Sequence, residues 1–307
     1  MTTQAMTTRD AVPAGFTLVN DDIKKRMIMS IEGDWGTGKT DLALTAPGPI
    51  AFFKFDLNTE VTLARFAKTK KIYKREYDVV DPSDKNAQKK AEDIMTTFAL
   101  DYKAVLASKD IRTVVWDTAT EIWEQIRLAA FGKLTQIQPH HYVQVNNGFR
   151  GMIREAFDSD TNLIMIHRMK DEWVNIPDPK SSTGERGKKT GRKERAGFSD
   201  LGFAVQVMVQ TFFEPEDPES PFKLKVLKCT QNPIITQRVY GQVGEFDAQG
   251  RVLIPPRLRD SAGMNGEVDV LGQVEFLEVW NHDRFVDKLK RDPFTDEDAK
   301  ALAEYGI

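Results

Sequence analysis

The chain predicts an α/β fold with a mostly parallel central sheet flanked by helices, followed by a small C-terminal appendage. Three observations carry this. Gly33 to Thr40 read Gly-Asp-Trp-Gly-Thr-Gly-Lys-Thr, which meets the phosphate-binding pattern G-x-x-x-x-G-K-[ST]. The apolar stretch 27–31 leads directly into it. Downstream, short apolar runs alternate with segments of helical periodicity, the order that builds parallel strands joined by right-handed crossovers.

Residues 1–25 read as an N-terminal extension: the first dozen are polar, and 16–19 can form a short strand before Asn20-Asp21-Asp22 and Lys24-Lys25-Arg26. The core is expected over 26–240. Its first strand, 27–31, enters the glycine-rich loop, and a helix starting near Lys39 continues over 41–45 until Pro47-Gly48-Pro49 ends it. Ile50-Ala51-Phe52-Phe53-Lys54-Phe55 is a buried strand with Asp56 at its C-terminal end. Residues 71–80 read as another strand. Over 84–108, Ala91, Ile94, Met95, Phe98, Tyr102 and Val105 recur at helical spacing. A strand over 111–116 follows, then helices over 120–133 and 142–157 with a loop at 136–141 between them, and a buried strand at 162–166. The stretch 169–199, rich in Gly, Pro, Lys and Arg, is too long for an ordinary connection and reads as a functional or disordered loop. Two alternating strands, 203–213 and 222–230, are joined by the acidic turn Glu214-Pro215-Glu216-Asp217-Pro218. In the segment 241–307 a turn is expected at Asp247-Ala248-Gln249-Gly250, and a last helix opens at Thr295 with Asp298 as a capping partner. No internal repeat is recognisable.

At 307 residues and 40% hydrophobic content the chain can hold one large domain plus smaller additions. No apolar run approaches the length of a membrane span, and the first residues lack a signal-peptide segment, so a cytoplasmic protein with no membrane partner is expected. Cys229 is the only cysteine, which excludes an intramolecular disulfide and a cysteine zinc cluster. The net charge of −3 leaves any nucleic-acid partner to a local basic patch.

The glycine pattern points to ATP or GTP with Mg²⁺. Backbone N–H groups of Gly33, Asp34, Trp35, Gly36, Thr37 and Gly38 can curl around phosphates, with the cradle running on to Asp41. Lys39 can reach the β- and γ-oxygens, and Thr40 can ligate the metal. Asp117, after Val114-Val115-Trp116, suits a carboxylate that holds Mg²⁺ through water, or a plain helix cap. Asp56 can orient an attacking water, with Glu60 as its rival and a turn role as the bland alternative. His167 and Arg168, ending the strand before the long loop, are placed either to sense the γ-phosphate or simply to lie on the surface. Trp35 can stack on a base, pack on a neighbouring subunit or pack locally. His140 and His141 read as loop residues. Within 180–195, Lys180, Arg186, Lys188, Lys189, Arg192, Lys193 and Arg195 stand against two glutamates. Such a segment can wrap a phosphate backbone, or be a solvated hinge.

The order of these pieces over 27–237 resembles the RecA-type recombinase core, most closely the small phage-encoded P-loop ATPases of single-strand annealing and recombination. The resemblance implies ATP hydrolysis stimulated by single-stranded DNA, Mg²⁺ as cofactor, and assembly into a homo-oligomeric ring or filament in the host cytoplasm. It places the catalytic acid on Asp56, where the family usually has Glu, and the second acidic site on Asp117-Thr118. The γ-phosphate sensor falls on His167 or Arg168 in place of the family's amide. The first DNA-facing loop would be 136–141 and the mobile DNA-binding loop 169–197. The lysine that reaches a neighbouring subunit's ATP would be Lys228. The segment after Tyr240 matches no part of that family. A P-loop kinase of a small substrate and a nucleotide-gated assembly or packaging factor are the alternatives.

Overall fold

A computed structural model describes residues 26–133, 139–177, 185–218, 220–241, 259–260, 262–272 and 277–291. In chain order the core elements are β1 (Ile28–Gly33), α1 (Lys39–Leu44), β2 (Ile50–Lys54), α2 (Glu60–Phe66), β3 (Ile72–Glu76), α3 (Ala87–Ala107), β4 (Thr113–Asp117), α4 (Ala119–Phe131), α5 (Pro139–Asp158) and β5 (Asn162–His167). Then come β6 (Met169–Pro177), β7 (Glu185–Arg195), α6 (Leu201–Ala204), β8 (Val207–Phe213), β9 (Phe222–Cys229) and β10 (Val239–Gly241). The C-terminal region holds β11 (Val268–Gly272), β12 (Leu277–Asn281) and α7 (His282–Arg291).

Eight strands form one sheet in the order β10-β9-β8-β1-β5-β4-β2-β3. From β8 to β3 every neighbouring pair is parallel, and β9 and β10 extend the sheet antiparallel. This is the mostly parallel α/β core expected from the sequence, with β5 lying between the phosphate-loop strand β1 and the Asp117 strand β4. Strands covered on both faces read as continuous apolar runs, and β1, β2 and β4 are buried throughout. Successive side chains on β2 serve opposite layers. Phe52 packs with Ile31, Leu44, Val115 and Ile164 toward α1, while Phe53 joins Phe98, Tyr102, Trp116 and Phe149 under α3, α4 and α5. Edge-to-face contacts of Phe98 with Phe53 and Trp116 lock that second layer. The end of α1 is closed by Lys70, whose Nζ donates to the carbonyls of Leu44 and Ala46 at 2.8 Å.

Several expectations are corrected. Within 169–199, where a loop was expected, β6 and β7 pair antiparallel as a hairpin: Lys189 pairs with Asp171 and Lys170 with Glu194 across the strands, and the Lys189 ammonium lies over the Trp173 ring. Residues 178–184 lie outside the described residues. Pro139 opens α5, so His140 and His141 sit in its first turn, where a proline is well tolerated. β3 stops at Glu76, and 201–204 form a short helix before β8 begins at Val207. The helices α2 and α7 and the β11–β12 hairpin were not expected. The strand over 16–19, residues 134–138, the turn at 247–250 and the helix at Thr295 lie outside the described residues. Among the described residues, no helix is long and apolar enough to cross a membrane.

Candidate nucleotide site

The phosphate loop turns where β1 meets β8. A Cβ on Gly33 would lie 2.6 Å from the Thr211 carbonyl oxygen, so only glycine allows this approach. Gly36 and Gly38 take φ of +71° and +81°, the left-handed conformation that curls the backbone into a cradle. Thr37 donates to the Asp34 carbonyl, and its hydroxyl lies 2.8 Å from that of Thr211, which ties the loop to β8. Lys39 Nζ donates to the same Asp34 carbonyl across the loop. Gly38 caps α1 with no side chain over its first amides. Trp35 projects outward, 90% exposed, and Phe222 of β9 stands beside Gly38 and against Phe213. Asp41 is held by Arg65 of α2.

Asp117 ends β4 and accepts the Thr40 hydroxyl at 2.9 Å. Burial pushes its carboxyl up to about 6; the Asp56 charge adds to the rise, while the Thr40 hydrogen bond, Lys39 and Arg168 oppose it. Burial likewise holds Lys39 below the usual lysine range, with Arg168 adding to the effect against the pull of Asp117, Asp34 and Asp56. Arg168 reaches Glu121 at 2.8 Å and Asp56 at 3.8 Å. Burial raises the Glu121 carboxyl, and Arg168 opposes that rise. Glu60 is turned aside to Lys54, which also pairs with Glu76 at 3.4 Å, so of the two candidate acids it is Asp56 that lies near Arg168. Beside them opens a cavity of about 700 Å³ lined by Asp56, Glu121, Arg168, Tyr77 and Arg127. Among the described residues no group of three His, Cys, Asp or Glu side chains could hold a metal alone. The hydroxyl of Thr40 and the carboxylate of Asp117 instead make a two-donor set, which fits Mg²⁺ completed by phosphate and water.

The structure brings Arg168, and not His167, to this group. His167 ends β5 beside Glu32 of β1 and is wholly buried. Burial, with Arg195 nearby, holds its imidazole well below the usual range, so it is neutral at pH 7. Arg195 lies 3.4 Å from Glu32 in a buried pair at the base of the hairpin. Burial raises the Glu32 carboxyl and Arg195 opposes the rise. Lys193 lies 2.6 Å from Asp34 of the phosphate loop. Arg186, Lys188, Lys189 and Arg192 are exposed on β7, and Lys180 lies outside the described residues. Lys228 donates to the carbonyls of Gly202 and Val205, 2.7 Å each, within its own subunit.

The family model described as AAA domain matches residues 25–216, which contain the phosphate loop, Asp56, Asp117, Glu121, Arg168 and Thr211. The chain belongs to the AAA-domain family. It is a P-loop ATPase of the AAA type, whose fold implies a nucleotide and usually Mg²⁺. After this AAA domain, a second model, for MraZ protein, matches residues 242–304. Over 68 residues in that region the chain is 52% identical to the transcriptional regulator MraZ of Acidobacterium capsulatum and 47% identical to that of Koribacter versatilis, covering 22% of this chain in each case. The matches cover 47% and 46% of those proteins, so the chain spans about half the length of the curated relatives it matches. A crystal structure of a KaiC-like protein from Pyrococcus horikoshii is similar at a TM-score of 0.40 and 13% identity, covering 75% of this chain and 89% of that one.

Sequence reasoning missed three members of the site. Thr211 steadies the loop and carries no motif. Glu32 precedes the pattern by one residue. Glu121 was legible: Thr118-Ala119-Thr120-Glu121 is a capping box, and Thr118 Oγ1 does accept from the Glu121 amide at 3.2 Å.

Proposed function

We propose that this chain hydrolyses ATP and couples the cycle to single-stranded DNA, acting in annealing or recombination as a homo-oligomer in the cytoplasm. The observation that carries this reading is a basic hairpin that leaves the end of β5 at Arg168, itself beside Asp56 and within electrostatic reach of Lys39 and Asp117. ATP's phosphates lie in the Gly33 to Gly38 cradle, and Lys39 leaves the Asp34 carbonyl for their oxygens. Thr40 and Asp117 would hold Mg²⁺, which would supply neutralisation of phosphate charge. Asp56 accepts a hydrogen bond from the attacking water and so aims it. Arg168, shared between Asp56 and Glu121, stands where negative charge develops. Arg186, Lys188, Lys189 and Arg192 meet the DNA backbone, in binding that is salt-dependent and indifferent to sequence. The C-terminal segment, by its likeness to transcriptional regulators, adds a second DNA-docking element.

The test is ATP hydrolysis with and without single-stranded DNA, with Lys39→Ala as the blank. Stimulation by DNA supports the reading; Lys39-dependent turnover indifferent to DNA sinks its DNA half. The cavity beside Asp56 favours a second reading, a kinase with its acceptor there. That reading requires ADP formation to depend on a small acceptor.

A further inference from the structure

Lys193 lies among side chains that the sequence assigns to DNA, yet its ammonium is engaged elsewhere. Its Nζ is 2.6 Å from Oδ1 of Asp34, the second residue of the phosphate-loop pattern. The contacts run in a row along the hairpin's return. The Ala196 amide donates to the Arg168 carbonyl at 2.9 Å, Arg195 faces Glu32, and Lys193 faces Asp34. Arg195 and Glu32 are buried and fix the hairpin's base, whereas Lys193 and Asp34 are both about half exposed, at 46% and 44%. Exposed pairs of that kind hold weakly. A phosphate carries more charge and more acceptor oxygens than a carboxylate. Asp34 also receives Lys39 on its carbonyl, so both lysines rest on one residue of the loop. Phosphates entering the cradle attract both ammonium groups and repel the Asp34 carboxylate.

We infer that Lys193 is a nucleotide-binding residue supplied by the hairpin. ATP's terminal phosphates draw it from Asp34, and the exchange of that contact passes nucleotide state into β7. The inference rests on the ATPase reading and deepens it, assigning one of the basic side chains to ATP and leaving its neighbours to DNA.

The experiment compares wild type with Lys193→Ala, Lys193→Arg and the control Lys170→Ala, which lies on the same hairpin but pairs with Glu194. Calorimetry with Mg²⁺ measures the Kd of a non-hydrolysable ATP analogue and of ADP, and hydrogen exchange follows the amides of 169–177 and 185–195. Lys193→Ala is expected to weaken the triphosphate analogue about tenfold and ADP about twofold, since the charge-assisted contact is made to the terminal phosphate. Lys193→Arg restores most of the affinity, and Lys170→Ala changes neither. The analogue shifts hairpin exchange in wild type and Lys170→Ala but not in Lys193→Ala. Wild-type affinity in Lys193→Ala together with an intact exchange response overturns the inference and leaves the ATPase reading standing. A wild-type protein that binds no nucleotide overturns both.

Discussion

Asp117 shows how much the site asks of a single carboxyl. It is buried at the end of β4 and faces the Thr40 hydroxyl, and its raised pKa of about 6 is the cost of keeping a metal-binding charge inside the fold. An unfolded Asp titrates near 4, as a generic value. The folded chain therefore holds this proton more tightly than the unfolded one does. The group favours folding most below that lower value, and the advantage is lost as pH rises from about 4 to about 6. Ionised at pH 7.5, it opposes folding by on the order of 2 kcal/mol. Asp117→Asn should therefore raise the Tm of the metal-free protein at pH 7.5, while hydrolysis falls by about 100-fold or more. Calorimetry and a coupled ADP assay read the two effects, and a lowered Tm would contradict this account of the burial. In wild type, kcat/KM should fall about tenfold per unit as pH drops below about 6, because a protonated Asp117 cannot hold Mg²⁺. A profile flat from pH 5 to 8 would remove Asp117 from the metal site.

The hairpin is where charge becomes an element of structure. Its strands are tied to each other by Lys189 with Asp171 and by Lys170 with Glu194, and to the core through Arg195. The joint variant Lys188→Ala, Lys189→Ala, Arg192→Ala should flatten the slope of log K against log salt for single-stranded DNA by about 2, at roughly 0.7 per phosphate contact. Fluorescence anisotropy across a salt series measures it, and an unchanged slope places the DNA elsewhere. The same hairpin explains what the sequence could not reveal. The glycine loop, β2 and α3 are legible because motif, apolar run and helical period each act locally. β6 and β7 bury little against the core, so their pairing left only charged, glycine-containing text that resembles a loop. α2 was invisible for a related reason: in seven residues it buries only Leu63 and is positioned by Arg65 meeting Asp41. In the site itself, Arg168 and His167 are adjacent in sequence and looked equivalent. The pleat sends one toward Asp56 and the other beneath Arg195, a distinction that requires the register of β5 beside β1.

For the whole molecule, the proposed cycle requires coupling that runs both ways. If a non-hydrolysable ATP analogue tightens DNA binding by some factor, DNA must tighten the analogue by the same factor, generally between about 5 and 150. Titrations in both orders test this, and analogue binding indifferent to saturating DNA would separate hairpin from loop. The sheet order carries a further consequence, for how the molecule comes into being. β1 is flanked by β5 and β8, and the amides of Met27 just before it and of Ile28 at its start donate to Asn162 and Gln206, 135 and 178 positions further along the chain. The glycine loop therefore leaves the ribosome well before the strands that seat it, and it is seated only once they arrive. Contacts so distant in sequence close slowly. A nascent chain exposes its basic hairpin before β8 has arrived to steady the loop through Thr211. During synthesis, the hairpin proposed to hold DNA is thus laid down before the loop that governs it is steadied.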